Sequence, residues 1–442
     1  LLETVWEGLI SEELINEVVR RVLTAKLHLG LFEDEIYINP VLVPSLLDPE
    51  ENRQLALEIA QASIILLKND GLLPLKKDLK TLAIIGPNAR EGLHLHGDYS
   101  YSVHIPSVQV WKGKKAVWQD SVNTVNIFEG IKNKLPQGEV LYAKGCDLSG
   151  NSQEGFEEAL EIAKKAQVIV AVMGENSGLF QQSISGEGSD RSDLELPGMQ
   201  GKLLRELSRL NKPIILVLVN GRPLALQWEK ENIPAIIETW YPGEEGGNAI
   251  ADVLFGDYNP GGKLPFSFPK ELGQLPVYYN RVSLAFNQYI STDAQALFPF
   301  GHGLSYTRFE YSDLNISPKE IKSLEKIAIQ CKVKNIGHQA GDEVIQLYIQ
   351  DPIASLVRPV KELKGFKRIH LEPDEERTIV FTLFPDQLAF YDEYMRLIIE
   401  PGLFNVMVGS SSEDIRLSGQ FEAIKEFQLT KYRHFKSEVS VQ

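Results

Sequence analysis

Four continuously apolar segments, each running into a turn, are the feature that most restricts how this chain folds. They read TLAII, VIVAVM, IILVLV and AII, and segments with the apolar spacing of amphipathic helices begin at about residues 154, 197 and 243. Strands that are apolar on both faces and alternate with helices are typical of a parallel sheet covered on both sides. The sequence therefore predicts an α/β sandwich domain with a mainly parallel sheet over residues 49–272.

The ends of these apolar segments indicate where a ligand would bind. Parallel sheets bind their ligands beyond the carboxyl ends of the strands. Glycines occur at these ends, at Gly86, Gly174, Gly221 and Gly243. At the start of the same domain, the whole segment NRQLALEIAQASIILLKND is predicted to be helical.

Beyond residue 310 the apolar pattern changes to a period of two. Segments such as KIAIQCKVKNIG and GDEVIQLYIQD alternate apolar and polar residues, which predicts an antiparallel, immunoglobulin-like β-sandwich over residues 311–424. The flanking parts are predicted to be an ordered, aromatic-rich linker (273–310) and a polar tail that wraps the surface (425–442). Residues 1–48 hold one amphipathic helix, with Ser11 as its N-cap, and a linker.

The charge of the chain limits the partners it can have. With 45 basic and 60 acidic residues the net charge is −15, which argues against binding to nucleic acid or to an anionic membrane. A run of eighteen apolar residues, as a membrane span needs, is absent from the sequence. The two cysteines have no metal-like spacing and favour a reducing compartment such as the cytoplasm, although the localisation stays open.

The segment SGEGSDRSDLELPG, which follows VIVAVM, concentrates acids and glycines on a loop at a strand end. Glu187 lies between Gly186 and Gly188, which let the backbone turn its carboxylate outward. Asp190 and Arg191 form a candidate internal ion pair that clamps the loop. Glu187 is thus either a functional acid or a solvated loop residue.

A second polar segment, HLHGDYSY, also follows a strand end and contains Asp98, Tyr99 and Tyr101. Its His94 and His96 would lie on one face of a strand, but no cysteine or further spaced ligand accompanies them, so we expect no metal site. We expect no organic cofactor either. The segment GPNAREG lacks the lysine and the spacing of a phosphate-binding loop, and basic residues are not expected at the strand ends.

Carboxylates are the remaining candidates for chemistry. The GxSxG pattern of a serine nucleophile is absent from the sequence, and no Ser-His-Asp arrangement can be assembled. Glycoside hydrolysis uses two carboxyl groups, one that protonates the leaving oxygen and one that attacks the sugar or activates water. Glu187 suits the first role, whereas a second carboxylate on a rigid strand is not evident from the sequence.

Several long segments resemble family 3 of the glycoside hydrolases, above all its β-glucosidase and β-xylosidase branch. They occur in the family's order and read NRQLALEIAQASIILLKNDGLLPL, TLAIIGPNA, SGEGSDRSDLELPGMQ, WYPGEEGGNAIADVLFGDYNPGGKLPFSFP and FPFGHGLSYTRFEY. The segment VKELKGFKRIHLEPDEERTIVFTL is similar to the fibronectin type III-like domain that ends those enzymes.

The resemblance implies a (β/α)8 barrel, an α/β sandwich and a fibronectin type III-like domain, with a retaining mechanism and no cofactor. An aspartate late in the barrel is the family's nucleophile, and a glutamate in the loop matched here by SGEGSDR is its general acid/base. This carries the acid/base role to Glu187, with Glu175 as a reserve acid. The remaining site residues are expected to position the loop (Asp190 and Arg191) or to lie near the leaving-group side of the substrate (Asp98, Tyr99 and Tyr101).

The chain departs from the family pattern at its beginning. The segment RVLTAKLHLGLFED resembles the last barrel helix, and neither an SDW-like segment nor room for a barrel precedes it. We therefore expect the nucleophile in an upstream barrel domain of the same protein, acting on an oligosaccharide or an aryl or alkyl β-glycoside. Glucose and xylose specificity and homo-oligomer formation stay open. The alternative is a non-catalytic carbohydrate-binding or scaffolding module of the same origin.

Overall fold

The computed structural model describes residues 1–33, 39–42, 45–46, 48–115, 123–179, 183–282, 289–431 and 434–442. Parts of the two predicted connections, residues 34–38 and 283–288, lie outside this set. The chain divides into two compact units, Leu1–Asn52 and Arg53–Gln442. None of the described helices is long and apolar enough to cross a bilayer.

The first unit is helical. It contains the helices Leu2–Trp6 (α1) and Glu12–His28 (α2), and a 3-10 turn at Pro40–Leu42. The backbone N–H of Leu14 donates to the hydroxyl of Ser11 at 3.2 Å, so the predicted N-cap of α2 is confirmed. Acids in the first turn of α2 and bases in its last turn suit the helix dipole.

The second unit begins with an α/β domain. The helix α3 (Glu50–Ser63) begins at the boundary between the two units. The helices that follow are Tyr101–Trp111 (α4), Ile127–Lys134 (α5), Phe156–Lys165 (α6), Gln200–Ser208 (α7), Gln227–Asn232 (α8) and Gly246–Phe255 (α9). Its strands are Ile65–Asn69 (β1), Thr81–Ile85 (β2), Glu139–Ala143 (β3), Val168–Gly174 (β4), Ser177–Leu179 (β5), Ser185–Glu187 (β6), Ile214–Val219 (β7) and Ala235–Glu238 (β8). Short 3-10 turns lie at Gly92–Leu95 and Leu272–Gln274.

The main sheet of this domain is mostly parallel, as predicted. Among the described residues its strand order is β1-β8-β7-β4-β2-β3, and only the pairing of β1 with β8 is antiparallel. Successive residues of β4 join different core clusters, Ile169 on one face and Val170 on the other. Helices therefore cover both faces, which explains why β4 and β7 are apolar at every position.

Two parts of this domain differ from the sequence-based prediction. The segment predicted as one helix over residues 52–70 is a helix that ends at Ser63, followed by β1. Ile64 to Leu67 are all buried, and an unbroken apolar run suits a buried strand better than a helix with a polar face. The elements α4, α5 and β3 were not predicted; β3 is a half-buried edge strand whose short apolar run, VLYA, was not recognised.

The β-sandwich follows and confirms the predicted fold class. Its strands are Phe309–Ser317 (β9), Glu320–Ile321 (β10), Ile327–Asn335 (β11), Gly341–Gln350 (β12), Glu362–Leu371 (β13), Glu376–Leu383 (β14), Phe390–Tyr391 (β15), Leu397–Ile399 (β16), Gly402–Gly409 (β17), Ile415–Ala423 (β18), Phe427–Leu429 (β19) and Glu438–Val441 (β20), with a 3-10 turn at Pro385–Gln387.

Two of its sheets face a shared core. In the described residues their strand orders are β10-β18-β17-β12-β13 and β20-β14-β11-β9, and β11 alternates strictly between buried and half-buried residues. The tail was predicted to wrap the surface. Its last strand, β20, instead pairs with β14 and extends the second sheet.

Candidate active site

The loop from Gly174 to Gln200, which contains the acidic segment, leaves the carboxyl end of β4 at the centre of the main sheet. Gln200, at the start of α7, closes the base of this loop. Its side-chain oxygen accepts from the backbone N–H of Gly174 at 2.7 Å, and its amide nitrogen donates to the carbonyl of Gly174 at 2.8 Å. Both ends of the loop are therefore fixed to the sheet.

A fully buried carboxylate, Glu175, holds the loop from below. Its Oε1 accepts from Arg191 Nη1 at 2.9 Å, and its Oε2 accepts from Arg222 Nε at 3.2 Å. Arg222 also pairs with Asp190, and Arg191 with Asp193. We call Glu175, Arg191 and Arg222 the buried anchor; it joins the loop to the segment that follows β7.

Asp190 is the exposed end of this network, with 70% of its side chain accessible. Desolvation opposes its ionisation, but the hydrogen bonds from Arg222 and from the backbone N–H of Arg191 outweigh that effect and lower the pKa of Asp190. The predicted contact of Asp190 with Arg191 is thus a side-chain-to-backbone bond at 2.7 Å, and its charge partner is Arg222.

Glu187 lies at the exposed tip of the loop, which we define as Ser185 to Gly188. The short strand β6 pairs there with β5 and places Glu187 opposite Leu179. Gly186 has φ of 140°, and a Cβ built on it would lie 1.9 Å from the carbonyl oxygen of Gly178. Only glycine therefore fits at position 186, and the close backbone packing beside it fixes the point from which the Glu187 side chain projects.

The structure brings Asp98 and Tyr99 to this tip. Asp98 Oδ2 accepts from the backbone N–H of Glu187 at 3.1 Å, and the hydroxyl of Tyr99 donates to Glu187 Oε2. Ser177 Oγ in turn accepts from the backbone N–H of Asp98 at 3.0 Å. The two polar segments that the sequence pointed to therefore form one site, although they lie almost ninety residues apart.

Two tyrosines of the second polar segment are exposed, and one of them, Tyr99, contacts Glu187. The side chains of Tyr99 and Tyr101 are 68% and 70% exposed, and the Tyr99 ring stacks on His104 with 5.6 Å between the ring centroids. Tyr101 is the first residue of α4, and the hydrogen bond to Glu187 Oε2 comes from Tyr99. The exposed ring of Tyr99, beside the carboxyl group of Glu187, is suited to an uncharged, partly apolar ligand.

The histidines of the second polar segment have structural partners. Residues Gly92–Leu95 form a 3-10 turn, so His94 and His96 do not lie on a strand as predicted. His94 Nδ1 is 2.8 Å from Asn88 Oδ1, and burial, together with the charge of Lys144, lowers the pKa of His94 to about 4. Across the described part of the chain, no three His, Cys, Asp or Glu side chains are arranged to hold a metal ion.

Several residues of the site were missed from the sequence. The expectation that strand ends carry no basic residues is wrong, because Lys144 directly follows β3 and Arg222 lies three residues after β7. Acids neutralise both: Asp147 pairs with Lys144 at 2.6 Å, and Glu175 and Asp190 pair with Arg222. The signal for Arg222 was its place in NGRP directly after a buried strand.

Tyr241 was also missed; it follows β8, and its hydroxyl lies 3.1 Å from Ser185 Oγ at the start of the tip. Burial raises the pKa of Tyr241 well above its usual value, so it stays a neutral hydrogen-bonding partner. The arrangement as a whole presents the exposed carboxyl group of Glu187 at the tip of a loop whose base is held by buried contacts. Such a group can donate or accept a proton.

Both domains of the chain match known protein families. Residues 64–306 match the glycosyl hydrolase family 3 C-terminal domain, and residues 343–412 match a fibronectin type III-like domain. A beta-xylosidase of Formosa agariphila is 40% identical over 93% of this chain, and a periplasmic beta-glucosidase of Salmonella typhimurium is 37% identical over 94% of it. Both alignments cover 56% of the relative's own length.

A solved structure resembles the whole of this fold. The crystal structure of a beta-glucosidase from Listeria innocua in complex with glucose superposes with a TM-score of 0.78 at 33% identity, covering 96% of this chain and 56% of that protein. The chain thus spans a little over half the length of the relatives it matches.

Proposed function

Because the chain belongs to glycoside hydrolase family 3, we propose that it is part of a retaining β-glycosidase in which Glu187 is the general acid/base. The observation that carries this proposal is the setting of Glu187. Its carboxyl group is exposed at the tip of a loop whose base is held by the buried anchor. Tyr99 donates to this carboxyl group, and Asp98 accepts from the backbone N–H of Glu187. A proton donor must be accessible to the substrate and held in place, and Glu187 meets both conditions.

In the first step, Glu187 gives its proton to the glycosidic oxygen while the bond from that oxygen to the anomeric carbon breaks. A second carboxylate forms a bond to that carbon and yields a glycosyl-enzyme. In the second step, water attacks the anomeric carbon, the bond from that carbon to the second carboxylate breaks, and a proton of the water passes to Glu187, which restores the starting state. Retention needs the two carboxyl groups about 5 Å apart. We propose that an aspartate of a barrel domain outside this chain supplies the nucleophile.

Glu175 has a different role in this proposal. Both of its oxygens are engaged by arginines and its side chain has no exposed surface, so it cannot reach a sugar without dismantling the buried anchor. It therefore positions the loop together with Asp190 and Arg191 and does not act as the reserve acid.

The substrate class follows from the relatives and from the site. The relatives are named beta-xylosidase and beta-glucosidase, and the solved one holds glucose. We propose a terminal, non-reducing β-linked sugar as the substrate, with Tyr99 and Tyr101 on the side of the leaving group. Their exposed rings offer stacking surface to an aryl or sugar leaving group.

The test uses Glu187→Gln in the intact enzyme that contains this chain. We expect kcat/KM on glycosides with poor leaving groups to fall by about 10²- to 10⁴-fold, as loss of a general acid does. Aryl glycosides with good leaving groups should lose less in the first step, and added azide should restore their turnover. The matched control is Glu195→Gln, another exposed acid of the same loop, which should keep wild-type kinetics. Equal kinetics for both variants would refute the assignment.

A non-catalytic carbohydrate-binding module is the second candidate, because the exposed rings of Tyr99 and Tyr101 offer stacking surface to a sugar whether or not a reaction follows. A binding module retains affinity for a β-linked disaccharide but shows no turnover and no azide rescue in any context. Titration calorimetry of the intact protein with such a disaccharide, beside the kinetic assay, separates the two functions.

A further inference from the structure

A completely buried carboxyl group, Glu238, lies at the carboxyl end of β8. Its Oε1 accepts from the backbone N–H of Trp240 at 3.0 Å, and its Oε2 accepts from the amide nitrogen of Asn220 at 3.2 Å. Trp240 has φ of 57°, a left-handed conformation that bulky residues rarely adopt. The side chain of Glu238 therefore bonds two turns at once, the one after β7 and the one after β8.

Each of these turns contacts the loop that carries Glu187. After β7, the amide nitrogen of Asn220 donates to the carbonyl of Arg222 at 2.7 Å, and Arg222 pairs with Glu175 and Asp190. After β8, the hydroxyl of Tyr241, next to Trp240, lies 3.1 Å from Ser185 Oγ. Two chains of contacts thus run from one buried carboxyl group to the base and to the tip of the loop.

We propose that Glu238 is a positioning residue for the loop that carries Glu187, and that it acts in its protonated form by holding the turns after β7 and β8 in register. The proposal rests on the proposed function for the meaning of that loop, but its contacts do not depend on Glu187. Ionisation of Glu238 would loosen both turns, because a second buried negative charge would then lie near Glu175.

The surroundings of Glu238 favour the protonated form. Burial raises the pKa of Glu238 to about 8; the hydrogen bonds from Trp240 and Asn220 act against this rise, and the charge of Glu175 adds to it. The charged or titratable groups that face it are Glu175 from the end of β4 and Tyr241 from its own turn.

The amide group that contacts Glu238 also carries an unpaired acceptor. Among the described residues, Asn220 Oδ1 is buried and makes no hydrogen bond, although the nitrogen of the same amide contacts Glu238. A protonated Glu238 has a hydroxyl to donate, whereas an ionised one only accepts. Arg222 cannot neutralise an ionised Glu238 without leaving Glu175 or Asp190, which it already pairs.

The test is amide hydrogen exchange on the full chain, followed by mass spectrometry and corrected for the intrinsic effect of pH. In the wild type, protection of the loop amides of Ile184, Ser185 and Glu187 should fall by about tenfold between about pH 6 and about pH 9.5 as Glu238 ionises. Glu238→Gln, which cannot ionise, should keep these protection factors nearly constant. The control Asp351→Asn, a half-buried carboxyl of the β-sandwich whose pKa burial also raises, should behave like the wild type.

Two results would overturn the inference: wild-type protection that does not change over this pH range, or loss in Glu238→Gln that parallels the wild type. The wild-type protein alone shows whether loop protection changes with pH, even if Glu238→Gln fails to fold. An infrared band of a protonated carboxylic acid, present in the wild type at about pH 6 and absent from Glu238→Gln, is a second expected signature, and its absence would also refute the protonated state. If the loop responds as expected but Glu187→Gln keeps full activity, the proposed function fails while the role of Glu238 stands.

Discussion

The base and the tip of the loop after β4 hold their carboxylates in opposite ways. Glu175 at the base is fully buried, and two arginines bind its two oxygens. Glu187 at the tip is exposed and receives one tyrosine hydroxyl. A buried charge needs partners that compensate for its lost hydration, whereas an exposed one is hydrated at little cost.

This difference separates stability from chemistry within one loop. The buried anchor fixes where the loop lies, so removal of its negative charge should lower the free energy of unfolding. The tip has the opposite property, because its carboxyl group can be changed without leaving a buried charge unpaired. Catalytic groups held by a packed supporting shell combine both features, and the predictions below test whether this loop does so.

Glu175→Gln should have the largest effect on stability. It removes the negative charge between Arg191 and Arg222 and leaves two partly buried cations without their shared partner. Breaking a buried ion pair in this way costs about 3–5 kcal/mol. The measurement is the free energy of unfolding from urea titration of the full chain.

The matched control is Asp193→Asn, which removes a 56% exposed partner of the same Arg191. Exposed ion pairs contribute about 0–1 kcal/mol, so this variant should unfold close to the wild-type midpoint. Equal costs for the two variants would mean that the buried anchor does not hold the loop.

Gly186→Ala should have the next largest effect, and it acts on the backbone of the tip. Its Cβ would meet the carbonyl oxygen of Gly178 at 1.9 Å, and φ of 140° is unfavourable for alanine. We expect a loss of about 2–3 kcal/mol in unfolding free energy. The comparison variant is Gly188→Ala, where φ is 77° and the left-handed conformation alone should cost about 1–2 kcal/mol. A smaller loss for Gly186→Ala than for Gly188→Ala in thermal denaturation would contradict the observed strand pairing at the tip.

The central strands and the exposed position of Glu187 could be predicted from the sequence for the same reason: each has a local signature. β4 and β7 are buried on both faces and read as unbroken apolar runs, and Glu187 lies between two glycines in a family motif. β1 was taken as the end of a helix because nothing separates it from α3 except one residue, Ile64. Its pairing with β8, which lies about 170 residues later, decides its conformation.

The supporting residues of the site could not be predicted in this way. Arg222, Tyr241 and Glu238 reach the loop through the order of strands in the sheet, and that order is not visible in a local pattern. Glu238 in particular ends an apolar strand, where a solvated position is the ordinary expectation for a glutamate. The domain boundaries proposed from the sequence, at about residues 48, 272, 310 and 424, stay predictions.

Glu238 is as buried as Glu175, but among the described residues no arginine is bound to it. The folded state keeps the proton of Glu238 up to a pKa of about 8, whereas an ordinary glutamate releases it near 4.5. Between these values the folded state binds more protons than the unfolded state, so the stabilising contribution is complete below about pH 4.5 and is lost as the pH rises through about 8.

Glu238→Gln should therefore become more stable than the wild type as the pH rises, by at most about 1.4 kcal/mol per pH unit over this window. Urea midpoints of both proteins between about pH 5 and about pH 9 measure this difference. A wild-type advantage that grows with pH would show that Glu238 is stabilised as an anion. In that case it would resemble Glu175, and the contrast between the two buried carboxyl groups would disappear.

The smallest effect on stability is expected at the tip itself. Glu187→Gln keeps the size of the side chain and removes only an exposed charge, and Tyr99→Phe removes only the hydroxyl that donates to it. Exposed substitutions of this kind change the unfolding free energy by no more than about 0.5 kcal/mol. Urea titration of both variants and of Glu175→Gln gives their free energies of unfolding under the same conditions.

A loss of more than about 1 kcal/mol in Glu187→Gln would identify the tip carboxylate as a structural partner of Tyr99. It would then follow that a fall in activity of the same variant reports a displaced loop and not a missing proton donor. An unchanged fold, together with lost turnover on poor leaving groups, leaves proton transfer as the property that was removed. Stability and activity must therefore be measured on the same variant, because only their divergence assigns the chemistry to Glu187 and the support to Glu175.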